Sequence, residues 1–157
     1  MKKLFVATNC QTGEPTFFEK EKYDTIFKAV QASASMPLVS EMVKIENNTY
    51  LDGAVGSSIP VQWALEQGYD KIIVVLTRDI FYQKEQISSK MKKIYALKFR
   101  EYPVLLDKIM TMSERYNQIT EEIKKLEEDK RIFVFRPQKE VKVKRLEKDA
   151  KKLQDLY

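Results

Sequence analysis

Residues 72–76 form an unbroken apolar run, Ile-Ile-Val-Val-Leu. A strand with one face in water alternates apolar and polar side chains, whereas a run without alternation is typical of a parallel strand covered on both faces. The preceding residues 61–67 have a helical pattern that ends at Gly68. Ser58 is expected to cap this helix, with Pro60 in its first turn. A helix followed directly by such a strand predicts an α/β fold.

Two hairpins are predicted upstream of this helix. Residues 4–18 are rich in β-branched and aromatic side chains on either side of a turn that contains Gly13. Residues 42–51 form the second hairpin around Asn47-Asn48, because asparagine tolerates the positive φ of a tight turn. The last strand of this hairpin is expected to deliver Asp52 at its end.

The composition changes after about residue 80, where lysine, glutamate, methionine and leucine become frequent. The sequence therefore predicts an α/β part at residues 1–80 and a mostly helical extension with one short strand at residues 81–157. The predicted elements of the extension are helices 86–100 and 104–130, strand 132–135 and helix 146–156.

Histidine is absent and cysteine occurs once, at Cys10, which limits the chemistry that the chain can perform. A Ser-His-Asp triad cannot be completed within these residues, an internal disulfide cannot form, and a zinc site would need mostly carboxylate ligands. No cofactor and no metal site are therefore expected. A reducing, cytoplasmic setting fits a chain with a single cysteine.

The charge of the chain is modestly basic, with 28 basic and 23 acidic residues and a net charge of +5. This excess does not by itself indicate nucleic acid, which is not expected as a partner. No apolar stretch approaches the roughly 20 residues that cross a bilayer, so any membrane contact is expected to be peripheral.

A basic segment between Lys84 and Arg100 carries six basic residues and one acidic residue, with Ile87, Met91 and Ile94 at helical spacing. Such a helix can lie on anionic lipid headgroups. The alternative is an apolar stripe docked on the α/β core with the basic face in solvent. The second interpretation is favoured because core-docking stripes are commoner than membrane ones.

Asp52-Gly53 at the end of a predicted strand has two interpretations. The commoner one is a plain turn, because aspartate bonds to nearby backbone and glycine accepts any φ. The other is a general base, because a glycine turn at a strand end fixes a carboxylate through the backbone instead of a mobile rotamer. The dipeptide alone does not decide between them.

An ordered series of motifs surrounds Asp52. It consists of Ala32-Ser33-Ala34-Ser35-Met36-Pro37, Tyr50-Leu51-Asp52-Gly53-Ala54, Ser58-Ile59-Pro60-Val61 and Gly68-Tyr69-Asp70. This series resembles the patatin-like phospholipase family over about residues 3–78. The resemblance implies part of a three-layer α/β/α core and a lipid ester as substrate. It also implies that Asp52 is the partner of a catalytic serine and that Gly53 and Ala54 complete the motif.

A second series of motifs lies mainly in the extension. It comprises Leu76-Thr77-Arg78, Tyr102-Pro103, Arg115-Tyr116-Asn117, Phe133-Val134-Phe135-Arg136-Pro137 and Arg145-Leu146-Glu147. It resembles the C-terminal α+β extension of one bacterial branch of patatin-like proteins. Arg115, Tyr116 and Asn117 are expected to be structural and not catalytic.

The family's G-x-S-x-G elbow and glycine-rich oxyanion loop do not occur in this sequence. Ser33, Ser35, Ser57 and Ser58 are better explained as packing or capping residues, so no nucleophile is assigned. The expectation is the C-terminal part of a patatin-like serine lipid acyl hydrolase, whose partner is a missing N-terminal half. This chain alone is expected to be inactive, and either to oligomerise or to rearrange the edge of its truncated sheet. A non-enzymatic interaction module or a peripheral membrane-binding module is the alternative.

Overall fold

The computed structural model describes residues 3–19, 23–140 and 148–154. The chain divides into two compact units, one of residues 1–60 and 84–120 and the other of residues 61–83 and 121–157. Each unit combines an earlier with a later stretch of the chain, so the residues after 83 contribute to both. The domain boundary near residue 80 stays a prediction.

The described residues form strands and helices in mixed order, and the predicted α/β class is confirmed. The elements are β1 (Leu4–Asn9), β2 (Pro15–Glu19), α1 (Tyr23–Ser33), β3 (Val43–Ile45), β4 (Asn48–Asp52), α2 (Gly53–Gly56), α3 (Val61–Glu66), β5 (Ile73–Val75), α4 (Ser89–Lys98), α5 (Pro103–Glu128), β6 (Phe133–Phe135) and α6 (Ala150–Gln154).

The first unit contains a four-stranded antiparallel sheet in the order β2-β1-β4-β3, and both predicted hairpins are present. The second hairpin turns at Glu46 and Asn47, one residue earlier than predicted, and Glu46 takes the positive φ of 54°. Asn48 instead opens β4 opposite Ile45. This register buries Ile45 together with Tyr50, whereas a slip by one residue would turn one of them into solvent.

Helix α1 covers one face of this sheet through small side chains. Ala29 and Ala32 are fully buried and let the helix approach the strands closely. They contact a buried cluster that also includes Ala7, Val43, Ile45 and Tyr50. By contrast, Phe27 of the same helix is 76% exposed and Val30 is 42% exposed.

A second core in the first unit joins the N-terminal strands to the helices after residue 83. Its fully or almost fully buried members are Cys10, Leu51, Val55, Phe99, Leu105 and Ile109. Ile87 also packs against it, whereas Ile94 is 41% exposed and Leu97 is 73% exposed. The apolar stripe predicted in the basic segment therefore docks on the core at its beginning and faces solvent at Ile94. No helix among the described residues is long and apolar enough to cross a membrane.

In the second unit, β5 and β6 form a parallel pair with Ile73 opposite Phe133 and Val75 opposite Phe135. Val74 is buried on one face of the pair. The four paired residues on the other face are all more than 60% exposed. The predicted strand is therefore confirmed, but the expectation that both of its faces are buried is wrong for the described residues.

The C-terminal motif and helix are described only in part. Residues 145–147, which carry the last predicted motif, lie outside the described residues. Of the helix predicted at residues 146–156, the described part is α6.

Candidate active-site aspartate

Asp52 is the last residue of β4, which lies between β1 and β3 in the antiparallel sheet. Its Cα is opposite that of Ala7, and its backbone N–H donates to the carbonyl oxygen of Ser35 at 2.8 Å. Ser35 belongs to the small-residue segment after α1, so that segment holds the Asp52 backbone directly. The backbone contacts therefore fix the Asp52 Cα, from which the carboxylate side chain extends.

The Asp52 carboxylate caps the short helix α2. Its Oδ1 accepts a hydrogen bond from the N–H of Ala54 at 2.9 Å, as an N-cap side chain does. The side chain is half-buried, and no donor among the described residues reaches Oδ2. The backbone thus holds one carboxylate oxygen, which orients the group.

Gly53 packs against β1 so closely that only glycine fits. A Cβ at this position would lie 2.3 Å from the carbonyl oxygen of Val6, which is backbone and cannot rotate away. Ala54 supplies the N–H that Asp52 binds, and the next residue, Val55, is 1% exposed. Asp52 and Gly53 therefore each have a geometric reason, and position 54 contributes its backbone N–H.

Thr8 is a site residue that the sequence pattern did not single out. It is fully buried, and its hydroxyl donates to the carbonyl oxygen of Asp52 at 2.8 Å. The Thr8 hydroxyl oxygen in turn accepts a hydrogen bond from the N–H of Gly56 at 2.8 Å. Its position directly after the apolar residues 4–7 was a signal in the sequence, because a hydroxyl buried beside an apolar strand needs a hydrogen-bond partner. Thr8 joins both ends of α2 to β1.

Comparison with known families gives one match toward each end of the chain. Residues 5–65 match a family model described as patatin-like phospholipase. Over these residues the chain is similar to the patatin-like phospholipase family. Residues 102–157 match a model described as domain of unknown function DUF6363, and no curated protein matches the chain significantly. The predicted resemblance to the patatin-like family, a family of lipid hydrolases, is therefore confirmed for residues 5–65.

Arg115 connects the DUF6363 segment to the patatin-like segment. From α5, its Nη1 donates to the carbonyl oxygen of Gly56 at 3.0 Å and its Nη2 to that of Val55 at 2.5 Å. Burial lowers the pKa of the guanidinium, and the carboxylates of Asp107 and Glu14 oppose that effect. The group keeps its charge, because an arginine pKa starts far above neutral pH. It therefore places a cation at the carbonyl end of α2.

The two residues after Arg115 fix the loop before α4. Asn117 accepts a hydrogen bond from the backbone N–H of Lys84 at 2.8 Å and donates one to its carbonyl oxygen at 3.1 Å. The Lys84 ammonium also lies 5.5 Å from the centre of the Tyr116 ring, within the range of a cation–π contact. Both residues make structural contacts in the patatin-containing unit.

Two of the four serines that could have been nucleophiles each donate a hydrogen bond to the carbonyl oxygen four residues earlier. The Ser35 hydroxyl donates to the carbonyl oxygen of Gln31 at 2.8 Å, and that of Ser58 donates to Ala54 at 2.9 Å. The prediction that Ser58 caps α3 is wrong, because α3 begins only at Val61 and the Ser58 hydroxyl closes α2 instead. Such backbone bonds explain these hydroxyls without a nucleophilic role.

Cys10 is fully buried in the second core. Burial raises the pKa of its thiol to about 11, against a smaller opposing effect of a hydrogen bond with Thr49. The thiol is therefore protonated at neutral pH. Because the thiolate is the nucleophilic form, Cys10 is a packing residue.

An open groove of about 510 Å³ lies beside the segment that holds Asp52. Ser35 lines one part of it, and the exposed side chains of Lys28 and Lys44 line another. Its surface is therefore partly cationic, with Glu41 as an acidic neighbour.

Proposed function

We propose that this chain supplies the catalytic aspartate of a patatin-like lipid acyl hydrolase and that Asp52 is the general base of a Ser-Asp dyad. The proposal rests on a difference between the two oxygens of the Asp52 carboxylate, which lies inside the family-matched segment. Oδ1 is held by the N–H of Ala54, and Oδ2 receives no donor from the described residues. The buried hydroxyl of Thr8 also donates to the carbonyl oxygen of Asp52, which fixes the backbone of this residue.

In the proposed reaction, a serine hydroxyl attacks the ester carbonyl of a lipid while Oδ2 of Asp52 takes the hydroxyl proton. The tetrahedral intermediate collapses with departure of the alcohol, to which Asp52 returns the proton. Water then attacks the acyl-serine, and its proton passes through Asp52 back to the serine oxygen as the fatty acid leaves. A dyad of this kind needs no histidine, which agrees with a sequence that contains none.

The serine and the oxyanion donors come from an upstream half of the same protein, because no G-x-S-x-G occurs in these residues. Uncovered apolar surface supports this partner in each unit separately. Phe27 on α1 is 76% exposed in the first unit, and Val75 on β5 is 74% exposed in the second. On the β5–β6 pair, the exposed side chains of Ile73, Val75, Phe133 and Phe135 form one apolar face. Such faces mark surfaces that another part of a protein covers.

The first test is the coding sequence upstream of Met1, where a G-x-S-x-G elbow is expected. Hydrolysis of a short-chain p-nitrophenyl ester is then measured on the protein that contains both halves. Asp52→Asn should lower kcat by roughly 10²–10⁴-fold, while asparagine keeps the cap of α2 and hence the fold. Asp70→Asn, at an exposed position, is the matched control. An unchanged rate in Asp52→Asn would overturn the dyad assignment.

Peripheral membrane binding is a second candidate function, favoured by the outer surface of α4. Ile94 and Leu97 are exposed there, and Lys90, Lys93 and Lys98 are exposed on the same helix. Exposed apolar side chains flanked by lysine suit an anionic lipid surface. Sedimentation with phosphatidylserine vesicles measures this binding independently of hydrolysis. The double substitution Leu97→Asn and Lys93→Gln should weaken the binding.

A further inference from the structure

We propose that Arg115 is a positioning residue for Asp52, so that the DUF6363 segment supports the catalytic loop of the patatin-like segment. The inference rests on the proposed function, because the placement of a carboxylate matters for turnover only if Asp52 is the base. Neither family match assigns a role to Arg115, which lies outside the patatin-like residues 5–65.

The geometry concerns the two ends of α2, which has only four residues. At its beginning, the Asp52 carboxylate binds the N–H of Ala54. At its end, the carbonyl oxygens of Val55 and Gly56 accept from the two terminal nitrogens of Arg115. The last carbonyl groups of a helix have no partner within the helix, so a cation there satisfies and stabilises them. A rotation of α2 that moved Asp52 would have to break one of these bonds.

The guanidinium is itself held in place from its own helix. Its Nε lies 3.2 Å from the hydroxyl oxygen of Thr111, and Nη2 also donates to the carbonyl oxygen of Lys108 at 2.6 Å. Four bonds in different directions thus use the planar fork of arginine. The single ammonium of lysine cannot reproduce them, so Arg115→Lys keeps the charge and loses the geometry.

Thr8 also anchors α2, through the N–H of Gly56. Arg115 and Thr8 therefore bind different groups of the same residue, one the carbonyl and the other the amide. With Arg115 removed, Thr8 keeps α2 attached to β1, and the carbonyl end of the turn becomes free to move. The expected defect is local displacement of the carboxylate and not unfolding of the sheet.

A displacement of about 1 Å at a reacting group lowers turnover by roughly 10²-fold. We therefore expect Arg115→Lys to lower kcat by roughly 10- to 100-fold with KM within about 2-fold, in the protein that contains both halves. Arg115→Met should lower kcat at least as much. Arg100→Gln is the matched control, because its side chain is 72% exposed and pairs only loosely with Glu101.

Hydrogen exchange on the 157-residue chain supplies a readout that does not depend on hydrolysis. In Arg115→Lys, the amides of Ala54 and Ser57 should exchange faster, while the Gly56 amide, which Thr8 binds, and the β1–β4 amides keep their protection. If Arg115→Met loses protection throughout the chain, that variant has a folding defect. The positioning role is then judged on Arg115→Lys alone. Unchanged exchange in α2, or an unchanged kcat in Arg115→Lys while Asp52→Asn is inactive, would overturn the positioning role. If Asp52→Asn is fully active, the proposed function fails, and this inference fails with it.

Discussion

The hydroxyl of Thr8 donates to the carbonyl oxygen of Asp52 and accepts from the N–H of Gly56, both at 2.8 Å. One buried oxygen thus fixes the start and the end of the turn that carries the candidate base. Threonine and valine have nearly the same shape, so replacing this residue by valine removes the hydrogen bonds without a large change in packing.

We expect Thr8→Val to lower the free energy of unfolding by about 1–3 kcal/mol, because the N–H of Gly56 loses its partner. Urea unfolding measures this loss. Thr16→Val is the matched control on the neighbouring strand β2, since no hydrogen bond of its hydroxyl occurs among the described residues. Equal stabilities of the two variants would contradict the anchoring role of Thr8.

Gly53→Ala tests the close approach of the Asp-Gly-Ala turn to β1. The added Cβ would lie 2.3 Å from the carbonyl oxygen of Val6, so the sheet must shift, at a cost of about 3 kcal/mol or more. Gly68→Ala is the comparison, because its Cβ meets no atom within 4 Å and only the positive φ of 70° opposes it. The midpoint of thermal unfolding should therefore be well below that of Gly68→Ala for Gly53→Ala. The reverse order would refute the steric explanation.

The local elements of the chain could be predicted because their signals are local. Gly13 marks the first turn, Gly68 ends α3, and alternating burial at Val43 and Ile45 defines β3. The second turn moved by one residue because burial of Ile45 with Tyr50 outweighs the preference of asparagine for turns. Asp52 and its glycine were identifiable as a motif because their spacing is short.

The contacts that position Asp52 could not be predicted, because they join distant parts of the chain. Thr8 lies 44 residues from Asp52, and Arg115 lies 59 residues from Gly56. Nothing in the spacing of Arg115-Tyr116-Asn117 shows which carbonyl oxygens the guanidinium reaches. The parallel pairing of β5 with β6 was also missed, since the sequence pattern assigned these strands to different parts of the chain.

The buried Cys10 thiol predicts a dependence of stability on pH. Its pKa is raised from 9.0 to about 11 in the folded chain. Below pH 9 the thiol is protonated in both states, so it contributes no change there. Between about pH 9 and pH 11 the thiol loses its proton in the unfolded chain but keeps it in the folded chain, so the free energy of unfolding falls. Unfolding midpoints in urea should therefore fall more steeply over this range for the natural chain than for Cys10→Ala. Parallel curves for the two proteins would contradict burial of the thiol.

The exposed face of β5 and β6 predicts that the chain associates when it is produced alone. Ile73, Val75, Phe133 and Phe135 are paired across the two strands and are between 62% and 74% exposed. Among the described residues these strands pair only with each other, so their outer edges are also open to further strands. Light scattering should give a mass above that of one chain, and Phe135→Lys should lower it. Phe81→Lys is the matched control, because Phe81 is 89% exposed and lies outside the pair. A monomer at high concentration would refute the prediction. When the upstream half is present, the same face should be covered, so the mass should fall to one copy without any substitution.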